Sequence, residues 1–493
     1  MQDKRDQVQA HLFIMGRMAS AMLRAEPDDP ESPSGRTNRG AAIGVIIAVL
    51  VCAGAFVFGL IMPGGKDSWR TSGELIIDKT TGSNYLFLDG RLRPVRNYAS
   101  ARLILGSDLK STTVLTKSLG DTPHGTPIGI PGAPAGLPGT GDLDTTPWQV
   151  CAGVRPQPAG SVTVTTTLAI GVNGGGDTPG VRKLGSADGL LISRPDGTMY
   201  LLWQGTRLRI EKATGAIDAL GYGAVVPRPA SEAFINAFPQ GLDLAPPAVL
   251  DRGAAGPALG GLPTKIGQVF RVDQPGSASQ YHLLMKEGLV PLTATEMALV
   301  LGDPRTRAQA YGGAAASVRT IGVDALTGHL APRESAKSLA RLPATPPKAV
   351  ELASGSVACA DVDFTGGTTR IGTSVMPAFV LDDVVQPPAR EVEPACLKVD
   401  AITVKPGKGA LVRALSAGGT GLGDTTFLVT DEGVKYRVSS QEAVDALGFK
   451  DAKARGLPAQ MLSMLPTGPD LTPEAAARGE AKGSLRCDSQ QDK

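Results

Sequence analysis

The chain has 493 residues, which is more than one hydrophobic core usually absorbs, so two or more domains or an array of repeats are expected. Aromatic residues make up 4% of the chain, and its cores must therefore be built from Ala, Val, Leu and Ile. The net charge is +2, from 49 basic and 47 acidic residues, and no run of Lys or Arg is long enough to follow a phosphate backbone, which argues against a nucleic-acid partner.

The N-terminal segment has the spacing of an amphipathic helix over residues 3–24. Apolar residues recur three or four positions apart, at Val8, Leu12, Met15, Met18 and Met22. A lone helix of this length is marginal in water, so its apolar face is expected to pack on a partner helix or on the membrane surface. Residues 1–40 are interpreted as a cytoplasmic amphipathic helix and linker.

Residues 41–62 read AAIGVIIAVLVCAGAFVFGLIM, a run without a single charge. At about 1.5 Å per residue, a helix of this length crosses a hydrocarbon core of about 30 Å. A buried core helix would usually keep a polar stripe, and a cleaved signal peptide would not follow 40 residues of mixed polarity. The sequence therefore predicts one uncleaved transmembrane helix.

The cysteines indicate the orientation, because Lys and Arg are balanced on the two sides of the span. Cys52 lies in the span, and four cysteines follow it: Cys151, Cys359, Cys396 and Cys487. Four thiols with few histidines nearby suit two disulfides better than a metal site, and disulfides persist on the oxidising side of a membrane. The N-terminus is expected to be cytoplasmic and the bulk of the chain extracytoplasmic. The alternative is four unpaired structural cysteines in a cytosolic protein, and the pairing stays open.

Four related segments follow the span: repeat 1 at 74–106, repeat 2 at 189–223, repeat 3 at 267–303 and repeat 4 at 425–450. In the first three, a turn separates an apolar strand from a second strand that carries a Tyr. In all four, a Gly precedes the last strand, and a second Gly closes the unit 14 to 16 positions later, at Gly106, Gly221, Gly302 and Gly448. Each unit is too small to be stable alone, so the units should pack on neighbours or on a central domain.

The helix expected at the end of each unit has signals at both ends. Thr293 with Glu296, and Ser439 with Glu442, fit a capping box at the N-terminus. The closing Gly suits a left-handed residue after the C-terminus. These signals make the units structural modules, since the four copies share apolar, Gly and Tyr positions but no acid, base or nucleophile.

Stretches rich in β-branched residues lie between the repeats, at 145–172 and 354–415. They are expected to form a discontinuous central β-rich core, with Cys151 and Cys359 each in one of its strands. The Gly/Pro-rich loop at 121–142 has no periodicity and is expected to be mobile. Residues 456–493 form a C-terminal segment. The sequence thus predicts an α+β protein with a single N-terminal transmembrane helix.

No constellation of catalytic or metal-ligating residues is visible. The runs MPGGKDS and KPGKGAL contain Gly and Lys but lack the spacing and the hydroxyl of a phosphate-binding loop. The histidines are scattered along the chain, at His11, His124, His282 and His329. Two carboxylate pairs could act as acid and base, Asp361 with Asp363 and Asp382 with Asp383. Such pairs are more often solvated loop residues, so no catalytic residue, cofactor or metal site is assigned.

Three stretches resemble one known family. They are RDQVQAHLFIMGRMASAMLRAEPDDPESP at 5–33, LIIDKTTGSNYLFLDGRLRPVRNYASARLILG at 75–106 and GLPAQMLSMLPTGPDLTPEAA at 456–476. Together with the single span between the first two, they resemble EccB, a core membrane component of type VII (ESX) secretion machines in actinobacteria. The resemblance covers nearly the whole chain, and the order of the parts agrees.

The resemblance implies an elongated extracytoplasmic domain, with four repeats around a central β-rich core and each repeat similar to a cell-wall-binding subunit of a phage lysin. It also implies a core disulfide, which falls on Cys151 and Cys359. Cys396 and Cys487 would then form a second bond that holds the C-terminal tail. The implied partners are the motor ATPase EccC, the membrane subunits EccD and EccE, other copies of the chain and membrane lipid.

Three functions follow from these observations. The first is a non-catalytic scaffold of the secretion pore that assists protein export. The second is a membrane-anchored module that binds cell wall, with peptidoglycan as its ligand. The third is a nucleotide hydrolase, because members of the family have been labelled ATPases, although no residue pattern in this chain supports that activity.

Overall fold

The computed structural model describes residues 4–24, 33–61, 68–70, 73–143, 146–157, 162–172, 180–274, 276, 278–332, 342–363, 369–382, 392–416 and 420–481. The chain divides into two units. The first comprises Met1–Leu92 and Ser111–His124, and the second comprises Arg93–Lys110 and Gly125–Lys493.

Helices in the described residues are α1 (Lys4–Arg24), α2 (Pro33–Ile61), α3 (Tyr98–Leu105), α4 (Thr116–Leu119), α5 (Ala216–Ala219), α6 (Glu232–Asn236), α7 (Ala294–Gly302), α8 (Pro304–Ala310), α9 (Phe379–Asp382), α10 (Gln441–Ala446), α11 (Ala459–Leu462) and α12 (Pro473–Arg478). Short 3-10 helices cover Ser68–Arg70, Thr140–Asp142, Lys212–Thr214 and Val323–Leu326.

The strands are β1 (Glu74–Asp78), β2 (Asn84–Leu88), β3 (Arg91–Pro94), β4 (Lys110–Val114), β5 (Trp148–Pro156), β6 (Val162–Ile170), β7 (Arg182–Lys183), β8 (Asp188–Ser193), β9 (Met199–Trp203), β10 (Thr206–Ile210), β11 (Arg228–Pro229), β12 (Val269–Val272), β13 (Gln280–Met285), β14 (Gly288–Leu292), β15 (Arg319–Ile321), β16 (Lys348–Ala349), β17 (Ser356–Asp363), β18 (Arg370–Pro377), β19 (Ala401–Val404), β20 (Ala410–Leu415), β21 (Gly421–Val429), β22 (Lys435–Val438) and β23 (Arg455–Pro458).

The two long helices belong to the first unit. The apolar side chains of α1 are exposed, Met22 to 84%. Helix α2 begins at Pro33, a residue favoured in the first helical turn, and so starts earlier than the span expected at 41–62. Its stretch Thr37–Phe58 has a mean hydropathy of 2.8, and none of it is buried. That lack of burial argues against a core helix and fits a helix that faces lipid.

A small hydrophobic core accompanies the first sheet. Trp69 is fully buried and meets Phe87 edge to face, with ring centroids 5.6 Å apart. Ile76 and Val114 complete this core from β1 and β4. Asp78, at the end of β1, accepts hydrogen bonds from the Thr116 hydroxyl, which fastens the start of α4 to that strand.

A six-stranded sheet forms the centre of the second unit, with strand order β19-β6-β5-β17-β18-β7. Strands β5 and β17 are antiparallel neighbours, although about 200 residues separate them in sequence. One face of the sheet contributes Trp148, Val150 and Leu168 to the largest hydrophobic cluster of the protein's described residues. The sheet is therefore discontinuous in sequence, and tertiary packing assembles it.

Four smaller sheets share one strand order, in which the third, second, first and fourth strands of a unit follow one another. The orders are β3-β2-β1-β4, β10-β9-β8-β11, β14-β13-β12-β15 and β22-β21-β20-β23. In the second sheet β16 also pairs with β8. The fourth strand runs parallel to the first in the pairs β11/β8, β15/β12 and β23/β20.

Two features of these sheets differ from the sequence expectation. Strand β20 was assigned to the core segment at 354–415, but it pairs with β21 and β23 as the first strand of the fourth small sheet. Each small sheet also gains a strand that follows the expected unit. Alternating β-branched residues mark a strand, but they carry no information about which sheet it joins, because its partners lie far away in sequence.

The helix N-termini confirm one capping box and correct the other. The Thr293 side chain accepts from the Glu296 N–H while the Glu296 carboxylate accepts from the Thr293 N–H. In α10, Ser440 is the N-cap and accepts from the Ala443 N–H, so the box expected at Ser439 and Glu442 is wrong by one residue. Each of these caps satisfies a donor that the first helical turn leaves free.

The closing glycines do not all have the same role. Gly106, Gly221 and Gly448 have φ values of 93°, 80° and 91°, in the region that favours Gly. Gly302, however, is the last residue of α7 and lacks a positive φ. A side chain there would collide with Ala219 of α5, so Gly302 permits two helices from different sheets to approach closely.

An extended segment covers the outer edge of three small sheets at the third strand, and these are called edge segments: 123–128, 239–244 and 466–471. Their hydrogen bonds repeat one register, since Leu92, Arg207 and Lys435 donate N–H to the carbonyls of Pro123, Pro239 and Pro466. Further along, Ile128, Leu244 and Leu471 donate N–H to Pro94, Arg209 and Arg437. Covering an edge in this way blocks pairing with other chains.

The edge segments share the pattern Pro-x-Gly-x-x-Ile/Leu. Gly241 lies against Leu208 and Gly468 against Tyr436, with no room for a side chain at either Gly. The first edge segment lies in the loop at 121–142 that was expected to be mobile. That expectation is wrong, because Ile128 and Ile130 are fully buried there.

Candidate functional site

The central sheet contains a covalent cross-link between two of its strands. Cys151 in β5 and Cys359 in β17 face each other across the antiparallel ladder and form a disulfide. Their side chains are buried, and Met376 and Leu381 pack around them. The disulfide implied by the family resemblance is thus confirmed, and it ties together two strands that the chain connects only through distant segments.

Cys396 is also disulfide-bonded, whereas Cys487 lies outside the described residues. Next to Cys396, the Leu397 N–H donates to the Ser463 carbonyl at 2.9 Å, which fixes this stretch to the end of α11. Cys52 is exposed and free in α2.

A polar pair lies beside the disulfide on the same face of the sheet. The Gln149 amide donates to Asp361 Oδ1 at 2.6 Å, and burial raises the pKa of the Asp361 carboxyl above its usual value. Asp363 is exposed. Asp382 ends α9, and Asp383 lies outside the described residues. Asp361 and Asp363 therefore lie in different environments, and the second pair cannot be placed within the described residues.

The histidines and the KPGKGAL run do not come together either. Within the described residues, no group of three or more His, Cys, Asp or Glu side chains is arranged to hold a metal ion. The KPGKGAL run forms the turn between β19 and β20 and the first two residues of β20, and Lys408 binds Asp142 there. A phosphate-binding loop leads into a helix N-terminus, and this turn leads into a strand.

An open cleft of about 920 Å³ lies within the second unit. Five segments of the unit surround it: the β9–β10 turn, the end of α6 with the second edge segment, the start of β18, the end of β20, and the end of β23 with the start of α11. Gly205 in the turn lies directly on the Ile371 carbonyl, where no side chain could fit. The Thr369 hydroxyl donates to the Gly456 carbonyl at 2.8 Å, which links β18 to β23.

Two arginines and several amides line this cleft. Arg207 Nη1 donates to the Ile235 carbonyl at 3.0 Å and to the Asn236 side chain. Burial is the main cause that lowers the pKa of the Arg207 guanidinium. Arg370 is exposed at the opposite wall. The exposed amides are Gln204, Gln240 and Gln460, and no carboxylate is among the described residues that line the cleft.

Sequence reasoning missed this cleft entirely. Its walls come from positions near 205, 240, 370, 415 and 460, and no local motif connects them. The single signal in the sequence is Gly205, which was noted as the Gly before the last strand of a unit. Its role in contacting Ile371 depends on the packing of two sheets.

The chain matches known proteins along nearly its full length. The family model described as "Type VII secretion system ESX-1, transport TM domain B" matches residues 2–482. The protein named ESX-3 secretion system ATPase EccB3 from Mycolicibacterium smegmatis is 28% identical, over 97% of this chain and 90% of that protein. The protein named ESX-2 secretion system ATPase EccB2 from Mycobacterium tuberculosis is 27% identical, over 96% of this chain and 94% of that protein.

Solved structures show the same fold in an assembled state. A chain in the intact ESX-5 inner membrane complex aligns with a TM-score of 0.65 and 25% identity, over 100% of this chain and 98% of that chain. The EccB3 dimer from the ESX-3 core complex aligns with a TM-score of 0.63 and 25% identity, over 82% of this chain and 99% of that chain. The protein is therefore a member of the EccB family, the transmembrane component B of type VII secretion systems.

Proposed function

We propose that this chain is a non-catalytic scaffold subunit of a type VII (ESX) secretion complex, where it builds the extracytoplasmic part of the membrane pore and assists protein export. The observation that carries the proposal is the alignment of the entire chain with a subunit of the ESX-5 inner membrane complex. A scaffold must keep its shape while it holds partners, and three features of the fold support that role.

The first feature is the cross-linked central sheet, in which the Cys151–Cys359 bond constrains strands 208 residues apart. The second is the covering of sheet edges by the edge segments. The third is helix packing between small sheets. The α5 and α7 helices meet at Gly215 and Gly302, and Arg102 of α3 donates to the Leu447 carbonyl after α10 at 3.2 Å. These contacts hold α5 against α7, and α3 against the end of α10.

The proposed arrangement has residues 1–40 in the cytoplasm, one span at 41–62 and the remainder extracytoplasmic. The buried Cys151–Cys359 disulfide supports this orientation, since disulfides persist in oxidising compartments. We propose that the repeats at 74–106, 189–223, 267–303 and 425–450 act as four modules around a core built from segments 145–172 and 354–404, with β20 (Ala410–Leu415) counted in the fourth module because it pairs with β21 and β23. Cys396 with Cys487 is the second proposed disulfide, which would hold the segment at 456–493.

The partners we propose are EccC, EccD, EccE and further copies of the chain. A relative has been solved as a dimer, which supports self-association. Helix α1 exposes Leu12, Met15 and Met22 on one face, an apolar surface suited to a partner helix or to membrane lipid.

The test is purification of the tagged full chain from its native membrane in mild detergent, followed by mass measurement and identification of the subunits. We expect a large complex that contains EccC, EccD and EccE. A chain that elutes free of these subunits under conditions that preserve the other membrane complexes would contradict the scaffold. Retention of such a free chain on isolated peptidoglycan would support the cell-wall-binding module instead.

A nucleotide hydrolase is a second candidate, because relatives at 27–28% identity carry the name ATPase. The measurement is ATP turnover by the purified full chain with Mg²⁺, compared with the variant Lys408→Met in the KPGKGAL turn. Turnover above background that is lost in the variant would support hydrolysis. Background turnover in both proteins is expected for a scaffold.

A further inference from the structure

We propose that the cleft bounded by the β9–β10 turn, the second edge segment and the first residues of β18 binds an acidic, extended segment of a partner polypeptide, with Arg207 as its main carboxylate-binding group. The proposal extends the scaffold function by naming a docking site and the chemistry of its occupant.

The first argument is the fixed orientation of the Arg207 guanidinium. Its Nη1 donates to the Ile235 carbonyl and to the Asn236 side chain, which holds the planar group in one orientation. Arginine carries five N–H donors, and the edge formed by Nε and Nη2 matches a carboxylate in bidentate geometry. No described residue accepts from that edge of Arg207 or forms an ion pair with it. The donor fork is fixed and available.

The second argument is the positive charge of the cleft. Arg370 adds a second cation at the opposite wall, and the lining that the structure describes includes no carboxylate. The acidic neighbour of Arg370 is Asp363, which lies opposite it across the β17–β18 ladder, outside the lining of the cleft. A site with two cations and no anion of its own favours a ligand with negative charge.

The size of the cleft and its uncharged lining residues indicate that the ligand is a polypeptide segment. Half-buried Ile371, Leu415 and Pro458 give an apolar floor, and the amides of Gln204 and Gln240 can pair with peptide groups. A volume of about 920 Å³ is near the upper end of ordinary ligand pockets, and its open form admits a segment that continues beyond it. An acidic segment with apolar side chains between its carboxylates fits these features best.

The walls are also held together before any ligand arrives. Gly205 packs on the Ile371 carbonyl, and the Thr369 hydroxyl bonds to Gly456. These contacts hold the start of β18 in the central sheet against the second and fourth small sheets. A preformed site loses little conformational entropy when it binds, which favours docking of an extended chain.

The full chain is solubilised in detergent and immobilised through a tag. A phage library that displays random heptapeptides is then selected for binding to it. We expect enriched sequences to carry Asp or Glu on either side of apolar residues. A labelled peptide from this set should bind roughly 10 to 100 times more weakly to Arg207→Gln, since a bond to a charged group contributes about 1.5–3 kcal/mol.

Two variants make the test specific. Arg209→Gln is the matched control, because it removes the same charge from the same strand and its guanidinium already binds Asp243. It should bind within about twofold of the parent protein. Gln460→Trp changes an exposed lining residue and should abolish binding by filling the cleft without altering Arg207.

The proposal is overturned if selection yields no acidic enrichment, or if enriched peptides bind Arg207→Gln and Arg209→Gln equally. Displacement of the peptide by ATP at lower concentration than by the unlabelled peptide would also overturn it and assign the cleft to a nucleotide. Because selection uses the purified chain alone, its failure leaves the co-purification result for the scaffold unaffected, and the reverse also holds.

Discussion

Cys151 lies directly opposite Cys359 in the central sheet, with their Cα atoms 4.0 Å apart although 208 residues separate them in sequence. Between these two positions the chain builds the second and third small sheets before it returns to the centre. The cross-link therefore closes a loop that contains entire modules, and it restricts the unfolded chain more than a short loop would.

Removal of this cross-link should lower stability strongly. For the double variant Cys151→Ala and Cys359→Ala we expect a loss of about 2–5 kcal/mol in the free energy of unfolding, the upper value being that of the chain-entropy relation for so long a loop. Urea unfolding of the full chain in detergent, followed by tryptophan fluorescence, measures it, since Trp148 is buried in the same sheet. Cys52→Ala, at an exposed free cysteine, is the control and should leave the midpoint unchanged.

The edge segments should tolerate no side chain at their Gly. Gly468→Val would push against the ring of buried Tyr436, and we expect destabilisation of about 1–3 kcal/mol from overpacking. Gly421→Val in the same small sheet has open space around it and serves as the matched control. Equal urea midpoints for the two variants would contradict the packing role of Gly468.

His282 should make the third small sheet sensitive to acid. Its side chain is 3% exposed, Nδ1 has no hydrogen-bond partner among the described residues, and burial lowers the pKa of the imidazole below 6.5. Below pH 6.5 the imidazole of the unfolded chain binds a proton, whereas that of the folded chain stays neutral. The free energy of unfolding therefore decreases as the pH is lowered from 6.5 to the folded pKa, by at most about 1.4 kcal/mol per pH unit.

The measurement is the free energy of unfolding between pH 7 and pH 5 for the parent protein and for His282→Phe. The acid-dependent loss should be smaller in this variant, because it has no imidazole to protonate. His124→Gln, at an exposed histidine, should retain the loss of the parent protein. The same pH profile in all three proteins would rule out His282 as the cause.

Lys435 should make stability rise with pH as well, but in the alkaline range. Its ammonium is buried, donates to the Leu462 and Leu465 carbonyls, and has its pKa lowered by burial to about 8. Between pH 8 and 10.5 the unfolded chain holds the proton and the folded chain releases it, so stability rises with pH. The gain from pH 7.5 to 9.5 is about 2 kcal/mol.

The variant Lys435→Met should lack this alkaline gain. Lys286→Met is the control, since Asp251 raises the pKa of Lys286 and places its titration above the window. The measurement is the free energy of unfolding of the parent protein and of the two variants at pH 7.5 and at pH 9.5. A Lys435→Met protein that still gains stability like the parent would contradict the assignment.

Local patterns in the sequence determined a large part of this protein. The charge-free run at 41–62 requires a helix long enough to cross a bilayer, since only a helix satisfies its own backbone groups in lipid. The Thr293–Glu296 capping box and the turn glycines are likewise set by contacts between residues a few positions apart, so the structure could be expected to retain them. The family resemblance rested on such local stretches as well.

Only the tertiary structure decided how distant strands pair. Strand β20 joins β21 and β23 and not the central sheet. Gly302 is the last residue of α7, and its lack of a side chain allows Ala219 of another module to approach it. The cleft around Arg207 has the same origin, since its walls come from five separated parts of the chain. Strand alternation and Gly position specify local conformation, whereas the choice of partner depends on packing energies summed over residues far apart in sequence, which no local pattern encodes.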